Sequence, residues 1–268
     1  MLAAFTTYLV DLDGVVYRGE ELLPGAREFV EWLNATHKKY LFLTNNSFAS
    51  EAQVLAKLTR LGIATDGSHI LGAARAAVHH IARRFPAALV YVVGEQPLKE
   101  IVRSHGLRVA DDDEHHADVV LVGLDRAFTY QKLTAAVLSV LHGAAFVAIN
   151  RDPLLPIAQG FVAGTGTLVA AIEAGSGVSP EVVGKPQPTL LQEAMRQLGS
   201  LPSETLMIGD NLNIDIKGGQ AAGTYTLLVL CGRDNPTTLA QSAIRPSYVY
   251  ENLAAVMSEI EKEVSSSL

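Results

Sequence analysis

Short apolar runs alternate with amphipathic stretches along this chain, the pattern of βα units that feed a parallel sheet. Tyr8-Leu9-Val10 is the first run; Pro24 then stands at a first-turn position, with Phe29, Val30 and Leu33 at helical spacing behind it. Tyr40-Leu41-Phe42-Leu43 is the second run, and Ser50 with Gln53 forms a capping box for a helix that stops at Leu61-Gly62. The middle third predicts strands over 88–93, 119–122 and 146–149, with helices over 97–105 and 130–141. The last third predicts strands over 181–183, 205–208 and 225–229, with helices over 188–198 and 253–264.

Composition narrows the classes. At 268 residues, with 49% hydrophobic and 18% charged residues, the chain supports a packed core of one large or two moderate domains. A net charge of −7 argues against broad nucleic-acid binding, which needs basic surface to displace counterions. Cys231 stands alone, so neither an internal disulfide nor a zinc site of several thiolates is available. No Lys or Arg precedes the first apolar run, as a secretory leader would require. The stretch Leu133–Ile149 is interrupted by Thr134, Ser139, His142 and Gly143 and reads as helix, turn and strand rather than a membrane span. A cytoplasmic protein with neither a nucleic-acid nor a membrane partner is expected.

Four predicted strands end in reactive polar residues: Asp11 and Asp13, Thr44 and Asn45, Lys185, and Asp210. Any one of them is an ordinary turn residue. Together, at the carboxyl ends of strands where open α/β sheets bind ligands, they are chemically complementary. Asp11, Asp13, Asp210 and Asp215 are ionised at neutral pH when unperturbed, and crowding them needs a cation among them. Oxygen ligands without Cys or His favour a hard ion, Mg²⁺ above all where phosphate is also present. Lys185 and Thr44 supply the positive charge and hydroxyl that an anion requires, so the set reads as a phosphoryl site.

Other phosphoryl and acyl devices are missing. Gly184-Lys185 is followed by Pro186, which breaks the P-loop pattern. Gly164-Thr165-Gly166-Thr167 lacks the third glycine of a dinucleotide fingerprint, and no Gly-x-Ser-x-Gly elbow is present. An aspartate nucleophile, passing through an aspartyl-phosphate, remains.

These residues resemble a known family. Asp11-Leu12-Asp13-Gly14-Val15-Val16-Tyr17-Arg18-Gly19 is similar to the first motif of the haloacid dehalogenase superfamily in its phosphatase form. Leu43-Thr44-Asn45-Asn46-Ser47 resembles the second motif, Gly184-Lys185-Pro186 the third, and Gly209-Asp210-Asn211-Leu212-Asn213-Ile214-Asp215-Ile216 the fourth. Their flavour resembles the NagD-type (class IIA) branch, which also holds p-nitrophenyl and phosphoglycolate phosphatases. Ile149-Asn150-Arg151-Asp152 and Gly164-Thr165-Gly166 resemble that branch's cap.

The resemblance implies a Rossmann-like parallel-sheet core over 1–78 and 180–268, with an inserted α/β cap of C2 type over 79–179. It implies Asp11 as nucleophile and Asp13 as acid and then base. Thr44, with Asn45 and Asn46, would hold phosphoryl oxygens, and Lys185 would offset their charge. Mg²⁺ would be held by Asp11, the Asp13 carbonyl and Asp210, supported by Asp215. Asn150, Arg151 and Asp152 are the candidates for substrate selection. The partner would be a small phosphate ester. Oligomeric state is left open, a homodimer included.

Rival readings are a receiver domain and a non-catalytic sensor of a phosphorylated metabolite. The length and the Asp11-x-Asp13 spacing disfavour the first, and the acid/base Asp13 is superfluous in the second. Among weaker signals, Asp111-Asp112-Asp113-Glu114-His115-His116 reads as a solvated acidic loop, and His79-His80 with Arg83-Arg84 as an exposed helix face. Thr165 or Thr167 is expected to cap the helix that begins there.

Overall fold

The structure, a computed structural model, describes residues 2–45, 50–113, 115–157 and 160–266. Its fold is α/β, and the chain divides into two compact units. The first takes the described residues in 2–44, 50–71 and 185–266; the second takes Asn45 and 72–184.

The first unit is built on six strands: β1 (Thr7–Asp11), β2 (Lys39–Thr44), β3 (Ile70–Gly72), β4 (Thr205–Gly209), β5 (Tyr225–Val229) and β6 (Tyr248–Tyr250). They lie in the order β6-β5-β4-β1-β2-β3. β1 runs parallel to both neighbours, with Val10 opposite Ile208 of β4 and Phe42 of β2. Tyr8, Leu9 and Val10 are all buried, as expected of a strand covered on both faces. One face packs on Phe29, Val30 and Leu33 of the helix Ala26–Ala35 and on Val256 and Ile260 of the helix Leu253–Ser265. The chain leaves β1 for β2 on one side and returns as β4 on the other. Such a switch point opens a crevice at the carboxyl ends of the strands. Asp11, Thr44 and Asp210 stand at those ends.

The second unit has its own sheet, in the order 181–182, 145–148, 119–122, 89–93, 108–109, with parallel pairing throughout. An antiparallel pair, Leu154–Ile157 with Gly160–Ala163, follows it. The helix Thr165–Ser176 is not capped by a threonine side chain; Gly164 is its N-cap, and the Thr167 hydroxyl donates to the Gly164 carbonyl at 2.6 Å. The two glycines answer to space instead. A Cβ on Gly166 would sit 2.2 Å from the Arg151 carbonyl oxygen, and one on Gly164 2.4 Å from that of Asp152.

The helix Ala73–Arg84 also departs from expectation. His80 is buried, because it shares the inward stripe of Ala76, Ala77 and Ile81. Its Nε2 lies 2.8 Å from a Glu181 carboxylate oxygen, and Arg84 pairs with the same carboxylate. Asp111, Asp112 and Asp113 are exposed as read, with Lys99 3.2 Å from Asp112; Glu114 lies outside the described residues. Among the described residues no helix is long and apolar enough to cross a membrane.

Candidate active site

Asp11 ends β1, and the chain then turns sharply through Gly14, whose φ is +84°. Gly14 donates its N–H to the Tyr17 carbonyl at 2.8 Å and Val16 to that of Leu12 at 2.9 Å, starting the small hairpin of Tyr17–Arg18 with Glu21–Leu22. Two independent reasons require glycine at 14. The left-handed conformation is one; the other is that a Cβ would fall 2.1 Å from Oδ2 of Asp210.

Asp210 follows β4 directly, and one wide turn, Leu212–Ile216, brings Asp215 back towards the strand end. Asn211 donates its N–H to Asp215 Oδ2 at 3.1 Å, and Asp215 donates its own to the Asn211 carbonyl at 2.8 Å. Gly209 makes room, since a Cβ there would lie 2.1 Å from that of Asp215. Lys185 closes the group. Its Nζ is 2.5 Å from Asp11 Oδ1 and 2.6 Å from Asp215 Oδ1, in a pocket where both the Lys185 and the Asp215 side chain are 2% exposed. Thr44 is buried at the end of β2.

Asp11, Asp210 and Asp215 each offer an oxygen within 4.8 Å of the others, the only such group among the described residues. Three carboxylates against one ammonium leave two negative charges uncompensated. Burial pushes the Asp11 carboxyl up to about 8; the Lys185 ammonium opposes the shift, while Asp215 and Asp210 add to it. Asp210 is pushed up to about 6, by burial first and then by Asp215. Burial works against the charged form of Lys185, yet its two carboxylate partners hold its pKa above the ordinary lysine range. Asp13, on the exposed side of the turn, is raised by desolvation while Lys57 and Lys185 pull it back; the Lys57 ammonium lies 3.6 Å above the Tyr17 ring. An all-oxygen donor set with excess negative charge and raised carboxyl pKa values fits a hard divalent cation.

The sequence-predicted residues divide between the units. Asp11, Asp13, Thr44, Lys185, Asp210 and Asp215 are in the first, where the structure brings Asp11, Lys185, Asp210 and Asp215 into one cluster. Asn45, Asn150, Arg151 and Asp152 are in the second. There the Asn150 amide donates to the Asn45 carbonyl at 3.2 Å, its oxygen accepts from the Asp152 N–H at 3.1 Å, and Arg151 pairs with Glu173. Asn46 lies outside the described residues.

One segment of the site escapes sequence reading: Cys231-Gly232-Arg233-Asp234, just beyond β5. Arg233 donates its N–H to Asp210 Oδ2 at 2.7 Å, and a Cβ on Gly232 would lie 2.1 Å from the same oxygen. The buried Asp234 accepts the Leu212 N–H at 2.6 Å. The available signal was the apolar run Tyr225–Val229 with Gly232 and Asp234 shortly behind it.

The chain is similar to known proteins over nearly its whole length. The haloacid dehalogenase-like hydrolase family matches residues 8–108, and a second HAD-hydrolase-like family matches 182–256. An acid sugar phosphatase of Staphylococcus epidermidis is 34% identical over 96% of this chain and 99% of its own length. The 5′-nucleotidase YutF of Bacillus subtilis is 36% identical over 94% and 97%. Among solved structures, a mutant of the thermostable p-nitrophenylphosphatase from Bacillus stearothermophilus superposes with a TM-score of 0.86. That chain is 38% identical over 93% of this one and 97% of its own.

Proposed function

Because the chain belongs to the haloacid dehalogenase-like hydrolases, in their NagD-type branch, and is a phosphatase of that family, we propose that Asp11 is its nucleophile towards small phosphomonoesters with Mg²⁺ as cofactor. The observation that carries this reading is the Lys185–Asp11–Asp215–Asp210 cluster at the sheet's switch point.

In the proposed reaction an Asp11 carboxylate oxygen attacks phosphorus in line, and the bond to the ester oxygen breaks. Asp13 gives that oxygen its proton, a task suited to a carboxyl raised from its ordinary value. An aspartyl-phosphate on Asp11 results. Asp13, now a base, takes a proton from water as the water attacks phosphorus, and Asp11 is released with inorganic phosphate. Lys185 faces the charge that gathers around the transferring group, and Thr44 offers its hydroxyl to a phosphoryl oxygen. Asp11, the Asp13 carbonyl and Asp210 would hold Mg²⁺, with Asp215 in support. The ion would supply charge neutralisation for the phosphoryl group. The single thiol supports a cytoplasmic setting.

The test is phosphate release from sugar phosphates, nucleoside monophosphates, phosphoglycolate and p-nitrophenyl phosphate, ranked by kcat/KM, with Mg²⁺ and with EDTA. Hydrolysis that depends on the cation is expected. A cation-loaded protein inert towards the whole panel would replace this reading with that of a metabolite-binding sensor.

Stability should report the same cluster. Asp11 and Asp210 titrate higher in the folded chain, at about 8 and about 6, than the roughly 3.9 of an unfolded Asp. The folded state therefore holds protons that the unfolded state has lost, and without a cation stability falls as pH rises from 4 towards 8. A divalent cation removes that disadvantage. At a Mg²⁺ concentration about 100-fold above its Kd at pH 8, Tm is expected to rise by about 5–10 °C at pH 8 and, because the same concentration then binds less well, by clearly less at pH 5. Differential scanning fluorimetry at both pH values checks this, and an equal rise at each would contradict it.

A further inference from the structure

The loop beyond β5 holds the segment that carries Asp210 and Asp215 at two points near its start. At the first, Arg233 donates its N–H to Asp210 Oδ2 at 2.7 Å, and Asp234 donates its backbone N–H to the Asp210 carbonyl at 3.1 Å. At the second, the Asp234 carboxylate accepts the N–H of Leu212, the first residue of the wide turn, at 2.6 Å. Asp234 is 9% exposed and Leu212 1%, so this bond is made out of water. A buried N–H without an acceptor is unfavourable, which gives the turn reason to move if the acceptor goes.

The turn it anchors sets where Asp215 points. Asp215 Oδ2 is spent on Asn211 and Oδ1 on Lys185, and Lys185 in turn holds Asp11. On the other side, Gly14 and Gly232 approach the same oxygen of Asp210, the one Arg233 already occupies. Oδ2 of Asp210 is thus hemmed in, which leaves Oδ1 as the oxygen to face a cation. The Asp234 side chain is outside the cluster of three carboxylates and bonds instead to the Leu212 turn, through which it acts on them.

We infer that Asp234 is a positioning residue for cation binding: its hydrogen bond to Leu212 keeps the Asp210–Asp215 segment in the register in which the cluster can hold a divalent ion. The inference rests on the cation reading of that cluster.

The test is calorimetric titration of MgCl₂ into the wild-type protein, Asp234→Ala and Asp234→Asn, with circular dichroism and Tm recorded on each. Loss of free-Mn²⁺ electron paramagnetic resonance signal gives a second affinity. Asp234→Ala removes the acceptor and is expected to weaken binding by about 10–100-fold, as losses of outer groups around metal sites do. Asp234→Asn keeps an acceptor oxygen and is expected to stay within about threefold of wild type. A residue that served only the fold would lower Tm in the Ala variant and leave the affinity of the folded protein unchanged; that result overturns the inference. So does an Asn variant as weak as the Ala variant, because charge would then matter rather than the hydrogen bond. If Asp234→Ala does not fold, Asp234→Glu, which displaces the carboxylate by one methylene, carries the test: weakened binding supports the inference and wild-type affinity overturns it. Wild-type protein that binds neither ion would overturn the cation reading itself, and this inference with it.

Discussion

Asp11→Asn is expected to reduce kcat towards p-nitrophenyl phosphate by at least about 10⁴-fold, because an amide cannot serve as the nucleophile. The fold should survive. Asparagine is nearly isosteric, Lys185 keeps Asp215 as a partner at 2.6 Å, and one buried carboxylate with a raised pKa is removed from a crowded group. The metal-free variant should therefore be no less stable than wild type at pH 8, where unmodified Asp11 is part-ionised. Acid quenching during turnover of a radiolabelled phosphate ester should leave label on wild-type protein and none on the variant. Full activity in Asp11→Asn, or label of equal yield, would remove Asp11 from the nucleophile's role.

Lys185→Met should be the most damaging single change to the metal-free fold of this site. It leaves Asp11 Oδ1 and Asp215 Oδ1, which lie 2.5 and 2.6 Å from the ammonium in the native protein, facing each other across a space without positive charge. Breaking a buried pair from one side costs about 3–5 kcal/mol, or a fall in Tm of roughly 6–20 °C for a chain of this size. The loss should grow as pH rises, since Asp11, already raised to about 8, loses the proton that lets it tolerate the vacancy. Activity should fall by about 10²–10³-fold from the lost electrostatic stabilisation. Lys185→Arg should not rescue it, because a planar guanidinium needs more room than a buried point charge vacates. A Tm within 2 °C of wild type at pH 8 would show that the pair is not held as described.

The parts of this molecule that were legible in sequence are those written in local patterns. Tyr225–Val229 and Tyr130–Leu141 fall on their predicted bounds, and the Ser50–Gln53 capping box is made from both sides. Strand-end chemistry was equally readable, because a buried strand must stop where an ionisable residue appears. What stayed hidden depends on which strand lies beside which. Gly232, Arg233 and Asp234 gain their meaning only once β5 is known to flank β4. The inward turn of His80 needed a partner, Glu181, that lies 101 positions on. The reading of Thr165 and Thr167 as caps gave way to a glycine, Gly164, whose task is to admit the backbone of 152–154, a contact with no local signature. The shortest strands, such as Tyr17–Arg18 with Glu21–Leu22, carry too few residues for alternation to show.

The place of β1 between β2 and β4 has a consequence for how the chain comes into being. Thr7 pairs with Lys39 on one side and with Thr205 on the other. In a growing polypeptide Lys39 follows Thr7 closely, and Thr205 waits until the residues between have been made. Meanwhile residues 72–184 supply all five strands of the second sheet, whose pairings are closer in sequence and so quicker to find. Until β4 arrives, one edge of β1 is open to unwanted strand partners. Asp11, the proposed nucleophile, is thus made well before Lys185, Asp210 and Asp215 and stays without them until they emerge. On that reading a nascent chain is expected to stay catalytically silent until β4 pairs with β1.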